Sequence, residues 1–146
     1  MPNSIKLRNF NINDFESVVS LWRDAGLPYR PKGRDRKEKI EKELENACSI
    51  FIVAEGSNNI VGVVFGTHDG RKGWINRLAV HPKHRNKGIA KMLVAEVEKR
   101  LLDRGIEIMT CLIEGDNFAS QTAFKKLGFK KWDDIVYFSK RMNPDV

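Results

Sequence analysis

The stretch that decides the fold of this chain is WINRLAVHPKHRNKGIAKMLVAEVEKRL, residues 74–101. Its opening residues, 74–80, form a β-rich apolar run that stops before Pro82, and such a run predicts a strand. From Ile89 to Leu101 an apolar side chain recurs at every fourth position, which predicts a helix with one buried face. The stretch is therefore predicted to form a strand, a short basic turn and a helix.

The basic turn has the features of an anion-binding site. Gly88 stands where the predicted helix begins, and Arg85 and Lys87 precede it. A helix start exposes backbone N–H groups and the positive end of the helix dipole, and a glycine there lets an anion approach those groups. We therefore expect a phosphate or pyrophosphate to bind here. The chain contains neither the G-x-x-x-x-G-K-[ST] phosphate loop nor the G-x-G-x-x-G dinucleotide motif.

Two patterns in this region resemble those of a known family. The spacing Arg85-x-x-Gly88-x-Ala90 resembles the Q/R-x-x-G-x-G/A acyl-CoA signature of the GNAT N-acetyltransferases. Downstream, a helix led by Asn117 and closed by a Gly-Phe pair at Phe129 resembles a second pattern of that family. Six residues alone are a weak signal, but two patterns in the right order make a specific one.

The resemblance is strongest over residues 78–129, and it implies a fold for the whole chain. The expected fold class is α/β, a mixed α+β arrangement in which a mostly antiparallel sheet is flanked by about four helices. Two neighbouring strands, 74–80 and 106–113, are expected to splay apart and to hold acetyl-CoA between them. The length of 146 residues suits one domain, 1–146.

The resemblance also implies the reaction and the cofactor contacts. Acetyl-CoA is expected as a cosubstrate whose acetyl group passes directly to a primary amine of a small molecule or a protein. The backbone near the end of the strand is expected to bind the pantetheine and the acetyl carbonyl, and a β-bulge is expected in that strand. The implied contacts are Leu78, Ala79, Val80, Arg85, Asn86, Lys87, Gly88, Ile89, Ala90, Lys91, Asn117, Ser120, Phe124 and Lys126.

A general base is needed because an attacking ammonium must first lose a proton. Glu114 ends the predicted strand beside the cleft and shares its face with Thr110 and Leu112, so it is the first candidate. His68 and Asp69 are the alternatives. A carboxylate that ends a strand is also commonly a solvated surface group without a catalytic role, and this alternative for Glu114 stays open.

The acid that protonates the departing thiolate is the clearest departure from the family. The family's usual tyrosine falls on Phe124, whose phenyl ring cannot donate a proton. Tyr137 is the first substitute and Tyr29 the second, although a thiolate can also leave without help. The change leaves open an acyl-CoA-binding module that has lost catalysis.

The amine acceptor is expected to contact the loop at residues 27–33. In chains of this family the segment between the first two helices borders the acceptor site, so Tyr29 and Arg30 are the candidates, with Lys32 and Arg34 after them. The prolines and the glycine of this segment predict a loop with restricted conformations. An exposed basic connector is the alternative interpretation.

The remaining elements follow from local patterns. Residues 4–10 alternate apolar and polar positions and predict a strand. Asn13 or Asp14 is expected to cap a helix that stops at Gly26. The other predictions are a surface helix at 35–46, a hairpin of strands 49–55 and 60–67, a helix at 117–127, and a final strand or hairpin within 130–142 that covers the core.

The helix at 117–127 is predicted in more detail. Asn117 is expected to cap its start, and Gly128 is suited to a left-handed residue at its end. Its inward positions are expected to be Ala119, Ser120, Ala123, Phe124 and Leu127.

Composition limits the classes of partner. The net charge of +7 and the isoelectric point near 9.5 call for an anionic partner, and the phosphate groups of CoA account for part of the excess. Nucleic-acid binding is disfavoured because no aromatic-rich RNA signature accompanies the charge. A homodimer is left open.

Location and metal binding are constrained by absences in the sequence. No apolar run is long enough for a membrane span and no signal peptide is apparent, so we expect a cytoplasmic protein with no membrane partner. Cys48 and Cys111 are expected to be free core thiols. The pair His81 and His84 lacks further ligands nearby, so no metal is expected.

Overall fold

The structure is a computed structural model that describes residues 4–146. Within these residues the chain forms five strands and four α-helices. The strands are β1 (Lys6–Asn9), β2 (Ser49–Glu55), β3 (Ile60–His68), β4 (Gly73–Val80) and β5 (Met109–Cys111). The helices are α1 (Phe15–Asp24), α2 (Lys37–Leu44), α3 (Ile89–Asp103) and α4 (Phe118–Lys126).

The strands form one sheet in the order β1-β2-β3-β4-β5. The first three pairings are antiparallel, and only β4 and β5 run parallel. Parallel neighbours need a crossover, and α3 provides it. The predicted fold class is confirmed, because the sheet is mixed, mostly antiparallel and accompanied by four helices.

Each face of the sheet buries its own apolar cluster. On one face α1 and α2 cover the aromatic rings of β2 and β3, where Phe51 and Phe65 stack with centroids 3.9 Å apart. On the other face α3 packs against the alternate residues of the same strands. Gly73 permits the close approach of α3, since a Cβ there would lie 2.3 Å from Leu101 Cδ1. Successive residues of a strand point to opposite faces of the sheet, and here both faces are covered. This is why β2 and β3 are continuous apolar runs in the sequence.

A β-bulge in β4 coincides with the end of its pairing to β5. The partners of β3 pass from Arg77 opposite Phe65 to Ile75 opposite Gly66, which leaves Asn76 as the extra residue. The parallel pairing ends at the same place, with Ile75 opposite Cys111. Beyond it β4 continues to Val80 with no strand partner on that side within residues 4–146.

The predicted splayed pair and the bulge in its first strand are therefore present, with one correction of position. The bulge lies at Asn76, ahead of the expected contacts at residues 78–80. The last strand spans only Met109–Cys111 and not 106–113, because its partner turns away at the bulge and leaves residues 112–113 without a ladder.

The prediction of a final strand or hairpin within 130–142 is wrong. This segment contains no strand, and its apolar side chains are exposed, with Val136 at 74% and Phe138 at 87%. A strand forms only where an edge offers a ladder of hydrogen bonds. The short β5 does not carry such a ladder to this segment.

Helix α4 is less buried than predicted. Ala119 and Ala123 are exposed, whereas Ser120, Phe124 and Leu127 are only half-buried. The missing final strand explains this result, because α4 has little besides the far edge of the sheet to pack against. Its ends match the sequence prediction, with Asn117 as the cap and Gly128 at a left-handed φ of 97°.

The starts of α1 and α2 compare differently with the prediction. Asp14, one of the two predicted caps, is the N-cap residue of α1, although its side chain makes no capping hydrogen bond there. The side-chain cap lies one turn earlier, where Asn11 accepts from Asn13 N while Asp14 accepts from Asn11 N in a capping box. Helix α2 spans Lys37–Leu44 and not 35–46, because Asp35 is engaged elsewhere. Among the described helices none has the length and apolar character needed to cross a membrane.

Candidate active site

The start of α3 is an open, uncapped helix end. Gly88 is its N-cap residue at a left-handed φ of 79°, and no side chain caps the first amides. A Cβ placed on Gly88 would meet nothing within 4 Å, so the space in front of these amides is free. Ile89 is buried and anchors the helix, while Lys91 is exposed. The free N–H groups and the helix dipole make this end suitable for an anion.

The turn before α3 supplies positive charge and no negative charge. Arg85, Asn86 and Lys87 are exposed, and the first turn of α3 contains no acidic residue. Arg85 Nε donates to Val80 O over 3.3 Å, which ties the turn to the end of β4. Asn86 has a φ of 64°, a conformation that asparagine tolerates better than most residues. The predicted phosphate contacts are therefore brought together at one end of the cleft.

The cleft itself is the gap between β4 and β5. Ala79 belongs to the buried cluster under α1, whereas Leu78 and Val80 are half-buried against the cluster under α3. Their side chains are engaged with the two cores, so what β4 offers to the gap is its unpaired backbone edge. An extended molecule with amide groups can hydrogen-bond to such an edge as an added strand does.

Helix α4 borders the other side of the gap. Asn117 Oδ1 accepts from Ser120 N over 3.1 Å and fixes the helix start. Phe124 packs edge-on against Phe129 with centroids 5.1 Å apart, and both rings lie against the cluster under α3. Lys126 is exposed in the last helical turn. Phe124 is thus a packing residue that is still partly exposed.

Glu114 lies beyond the end of β5. Its backbone carbonyl accepts from Asn117 N over 3.0 Å and from Gln121 Nε2 over 3.3 Å, so it helps to hold α4 in place. Its carboxylate is exposed and makes no ion pair or hydrogen bond within residues 4–146. The carboxylate is therefore accessible to solvent just beyond the end of β5.

The alternative bases, His68 and Asp69, are both engaged by backbone N–H donors, unlike Glu114. His68 shares the α3 face with Gly66, where a Cβ would lie 3.2 Å from Val97 Cγ1, and its Nδ1 accepts from Gly70 N. Asp69 accepts from Arg71 N and Lys72 N in the turn between β3 and β4. These backbone donors, that of Lys72 first, lower the pKa of Asp69. A carboxylate with a lowered pKa is a weaker base.

The two candidate acids lie on different parts of the molecule. Tyr29 is half-buried, and its ring centroid is 6.1 Å from that of Trp22. Tyr137 belongs to the exposed segment and is 62% accessible. Of the two, Tyr29 is held by packing, whereas no packed element positions Tyr137.

A buried ion pair beside the bulge could not be read from the sequence. Arg77 Nη2 donates to Asp35 Oδ2 over 2.7 Å, with both side chains largely buried. Arg77 also donates to Pro28 O, and its guanidinium lies 4.5 Å from the ring centroid of Trp22. Only the charge of both residues and the proline-rich loop were visible in the sequence, and 42 positions separate the partners.

Neither the two thiols nor the pair His81 and His84 is arranged as a nucleophile or a metal site in the described residues. Cys48 and Cys111 are free thiols, and burial raises the pKa of Cys111 to about 11. His81 Nδ1 accepts from Lys83 N, and its ring centroid is 5.8 Å from that of His84. In the part of the chain that the structure describes, no three histidine, cysteine, aspartate or glutamate residues are grouped to hold a metal ion.

Known proteins are similar to this chain over nearly its whole length. The model of the acetyltransferase (GNAT) family matches residues 15–129. The acetyltransferase SG1711 of Sodalis glossinidius (strain morsitans) is 35% identical over 141 residues, which cover 97% of this chain and 98% of that protein. The acetyltransferase plu1384 of Photorhabdus laumondii is 36% identical over 142 residues, with the same coverage.

Solved structures share the fold at lower identity. The aminoglycoside acetyltransferase AAC(6')-Iy, in complex with the bisubstrate analogue CoA-S-monomethyl-acetylneamine, has a TM-score of 0.79 and 20% identity, covering 94% of this chain and 99% of that chain. The PaiA N-acetyltransferase of Thermoplasma acidophilum, in complex with coenzyme A, has a TM-score of 0.79 and 23% identity, covering 89% and 92%.

Proposed function

Because the chain belongs to the GNAT family of acetyltransferases, we propose that it transfers an acetyl group from acetyl-CoA to the primary amine of a small molecule by direct attack. The observation that carries this proposal is the gap between β4 and β5, which opens beside an uncapped helix start. Together they match an elongated molecule with a pyrophosphate in its middle.

Different groups along the gap bind different parts of acetyl-CoA. The amides at the start of α3, with Arg85 and Lys87, bind the pyrophosphate of acetyl-CoA. The free backbone edge of β4 aligns the pantetheine and directs N–H groups at the acetyl carbonyl oxygen, where negative charge develops as the amine attacks. The bulge at Asn76 turns the strand so that this edge is exposed.

Proton transfer is assigned to exposed groups. The amine nitrogen bonds to the carbonyl carbon, the carbon–sulfur bond breaks, and the amine proton leaves through water to Glu114 as the proposed base. The thiolate departs without an obligatory acid, since a thiol has a pKa of about 8.5. Tyr137 remains the proposed proton donor only if the exposed segment reaches the sulfur.

Acetyl-CoA binding is the first measurement. A ligand present at about 100 times its dissociation constant stabilises the folded protein by about 2.7 kcal/mol, which gives a clear rise in melting temperature. Release of free thiol in the presence of a panel of amines then measures transfer. An unchanged melting temperature at saturating acetyl-CoA would remove the proposal.

A second function is favoured by Phe124 alone. A phenyl ring at the position of the family's tyrosine suits a protein that binds acyl-CoA without transferring the acyl group. Stoichiometric CoA binding with no thiol release from any amine would select this function over transfer.

A further inference from the structure

The loop between α1 and α2, residues 27–36, carries an unusual excess of free positive charge, and we call it the basic loop. Its four exposed cationic side chains are Arg30, Lys32, Arg34 and Arg36. Within residues 4–146 none of them makes an ion pair or a side-chain hydrogen bond. The following helix does not balance this charge, because α2 (KEKIEKEL) contains three lysines and three glutamates.

The acidic residue of the basic loop is already neutralised. Asp35 is 5% exposed, and its Oδ2 accepts from Arg77 Nη2 and from Arg30 N, each over 2.7 Å. A buried carboxylate with these partners has little capacity left for the surface cations. The outward charge of the loop is therefore positive throughout.

The basic loop lies over the bulge in β4. Arg77, the residue after Asn76, holds it through Asp35 and through the carbonyl of Pro28. Burial lowers the pKa of Arg77, and the charge and hydrogen bond of Asp35 act against that shift. The ion pair thus fixes the basic loop to β4 directly after the bulge.

The segment at residues 141–146, which contains Asp145, contacts the middle of the basic loop. A Cβ on Gly33 would lie 2.0 Å from Asp145 O and 3.1 Å from Val146 Cα, so the backbone of this segment rests directly on Gly33. Arg141 holds the segment by donating from Nη1 to Val146 O over 2.8 Å. The segment forms a turn at this point, in which Asp145 N donates to Asn143 Oδ1 over 2.9 Å.

We infer that the amine acceptor carries an anionic group, a carboxylate or a phosphate, and that the basic loop binds this group while the amine faces the gap. The inference rests on the proposed function and specifies its substrate class. The geometry joins free cations to the flank of β4 through one buried ion pair. Such a loop repels polycationic amines and attracts amines with nearby negative charge.

Matched amines that differ only in charge provide the test. Glucosamine 6-phosphate is compared with glucosamine, and the peptide Ala-Asp-Asp-Gly with Ala-Asn-Asn-Gly, while kanamycin serves as the polycation. We expect KM for the anionic member of at least one pair to be lower by about tenfold or more. The pair that shows the difference tells whether the anion belongs to a small molecule or to a peptide. Equal KM values, or a preference for kanamycin, would overturn the inference.

A charge reversal assigns the effect to the loop. Arg34→Glu should bring the ratio of KM values between neutral and anionic members toward one. Lys99→Glu changes the total charge equally from an exposed site on α3, and it should keep the ratio. The dissociation constant of acetyl-CoA is measured for both variants. If Arg34→Glu weakens acetyl-CoA as much as the anionic amine, the loop serves the phosphates of CoA and the inference is wrong.

Failure of the inference is separable from failure of the proposed function. Calorimetric titration of the same amine pairs into the CoA-loaded protein measures binding without turnover. Tighter binding of the anionic member supports the inference even when no acetyl group is transferred. Absence of a preference, including absence of binding by either member, overturns it even when acetyl-CoA binds well.

Discussion

Gly88 is the residue that tests the proposed phosphate end of the gap. Replacing it with aspartate adds a carboxylate in front of the free amides of α3, where it competes with the pyrophosphate. We expect Gly88→Asp to weaken acetyl-CoA binding by more than about tenfold relative to Gly88→Asn. Two like charges a few ångströms apart near a protein surface repel each other by more than about 1.4 kcal/mol, which corresponds to a tenfold change in affinity. Calorimetry on both variants measures the difference.

The asparagine variant is the control for backbone strain. At a φ of 79° both side chains cost about 1 kcal/mol of stability, and both are among the residues that tolerate this conformation. The two variants should therefore melt at similar temperatures. Equal acetyl-CoA affinities would show that the start of α3 does not contact the anion.

Phe124 tests whether the missing tyrosine limits the reaction. The ring is half-buried against Phe129, so Phe124→Tyr adds a hydroxyl that the exposed side can solvate, and little loss of stability is expected. If departure of the thiolate is slow, kcat should rise by about tenfold, within the range of general acid catalysis.

The measurement is kcat at saturating amine across pH, with Phe124→Leu as the control for packing. An unchanged kcat would mean that no acid is required or that another group acts, and Tyr137→Phe then tests the remaining candidate. A large loss of stability in Phe124→Tyr would show that the ring is more tightly packed than its exposure indicates.

Among the elements, β1 and α1 are joined by one charged group. Arg8 donates to both carboxylate oxygens of Asp14 over 2.8 and 2.9 Å, and Asn11 N donates to the same carboxylate over 2.9 Å. We expect Asp14→Asn to lower the free energy of unfolding by about 1 to 2 kcal/mol at neutral pH. Glu16→Gln, which removes an exposed pair at 3.4 Å, should change it by less than about 0.5 kcal/mol.

The pH dependence of this pair has a definite sign. The hydrogen bond from Arg8 lowers the pKa of Asp14 in the folded protein. The stabilisation is therefore complete above the unfolded-state pKa of about 3.9 and is lost as the pH falls through the lower folded-state pKa. Denaturation of wild type and Asp14→Asn as a function of pH should show the difference shrinking only below about pH 4. A difference that persists in strong acid would contradict the assignment.

At the scale of the whole molecule, the segment at residues 132–138 exposes a set of apolar side chains that soluble monomers usually cover. Trp132, Ile135, Val136, Tyr137 and Phe138 are all more than 60% exposed. Large exposed apolar patches favour association. We therefore predict a concentration-dependent rise in mass by analytical ultracentrifugation, reduced by the double change Val136→Asp and Phe138→Asp.

The control for that prediction changes the net charge by the same amount and leaves the apolar side chains. Lys131→Gln with Lys140→Gln removes two positive charges at exposed positions that flank the segment. This control should associate like wild type. A wild-type mass that stays at the monomer value over the whole concentration range would contradict the prediction.

The sequence by itself determined the elements whose signals are local. The strand, turn and helix of residues 74–101, the left-handed conformation of Gly128 and the hairpin of β2 and β3 all follow from neighbours within a few positions. Helix periodicity, strand alternation and turn chemistry act over that range, so each is visible in a linear reading. The turn and helix start proposed to bind phosphate belong to this group, because they are neighbours in the sequence.

Only the tertiary structure decided how distant segments meet. The ion pair of Asp35 and Arg77, the bulge at Asn76 and the early end of β5 depend on partners brought together by the sheet. The exposed state of residues 130–142 likewise depends on whether an edge offers hydrogen bonds, which no local pattern encodes. Strand partners and buried charges are fixed by contacts between residues far apart in sequence, and those contacts exist only once the chain has folded.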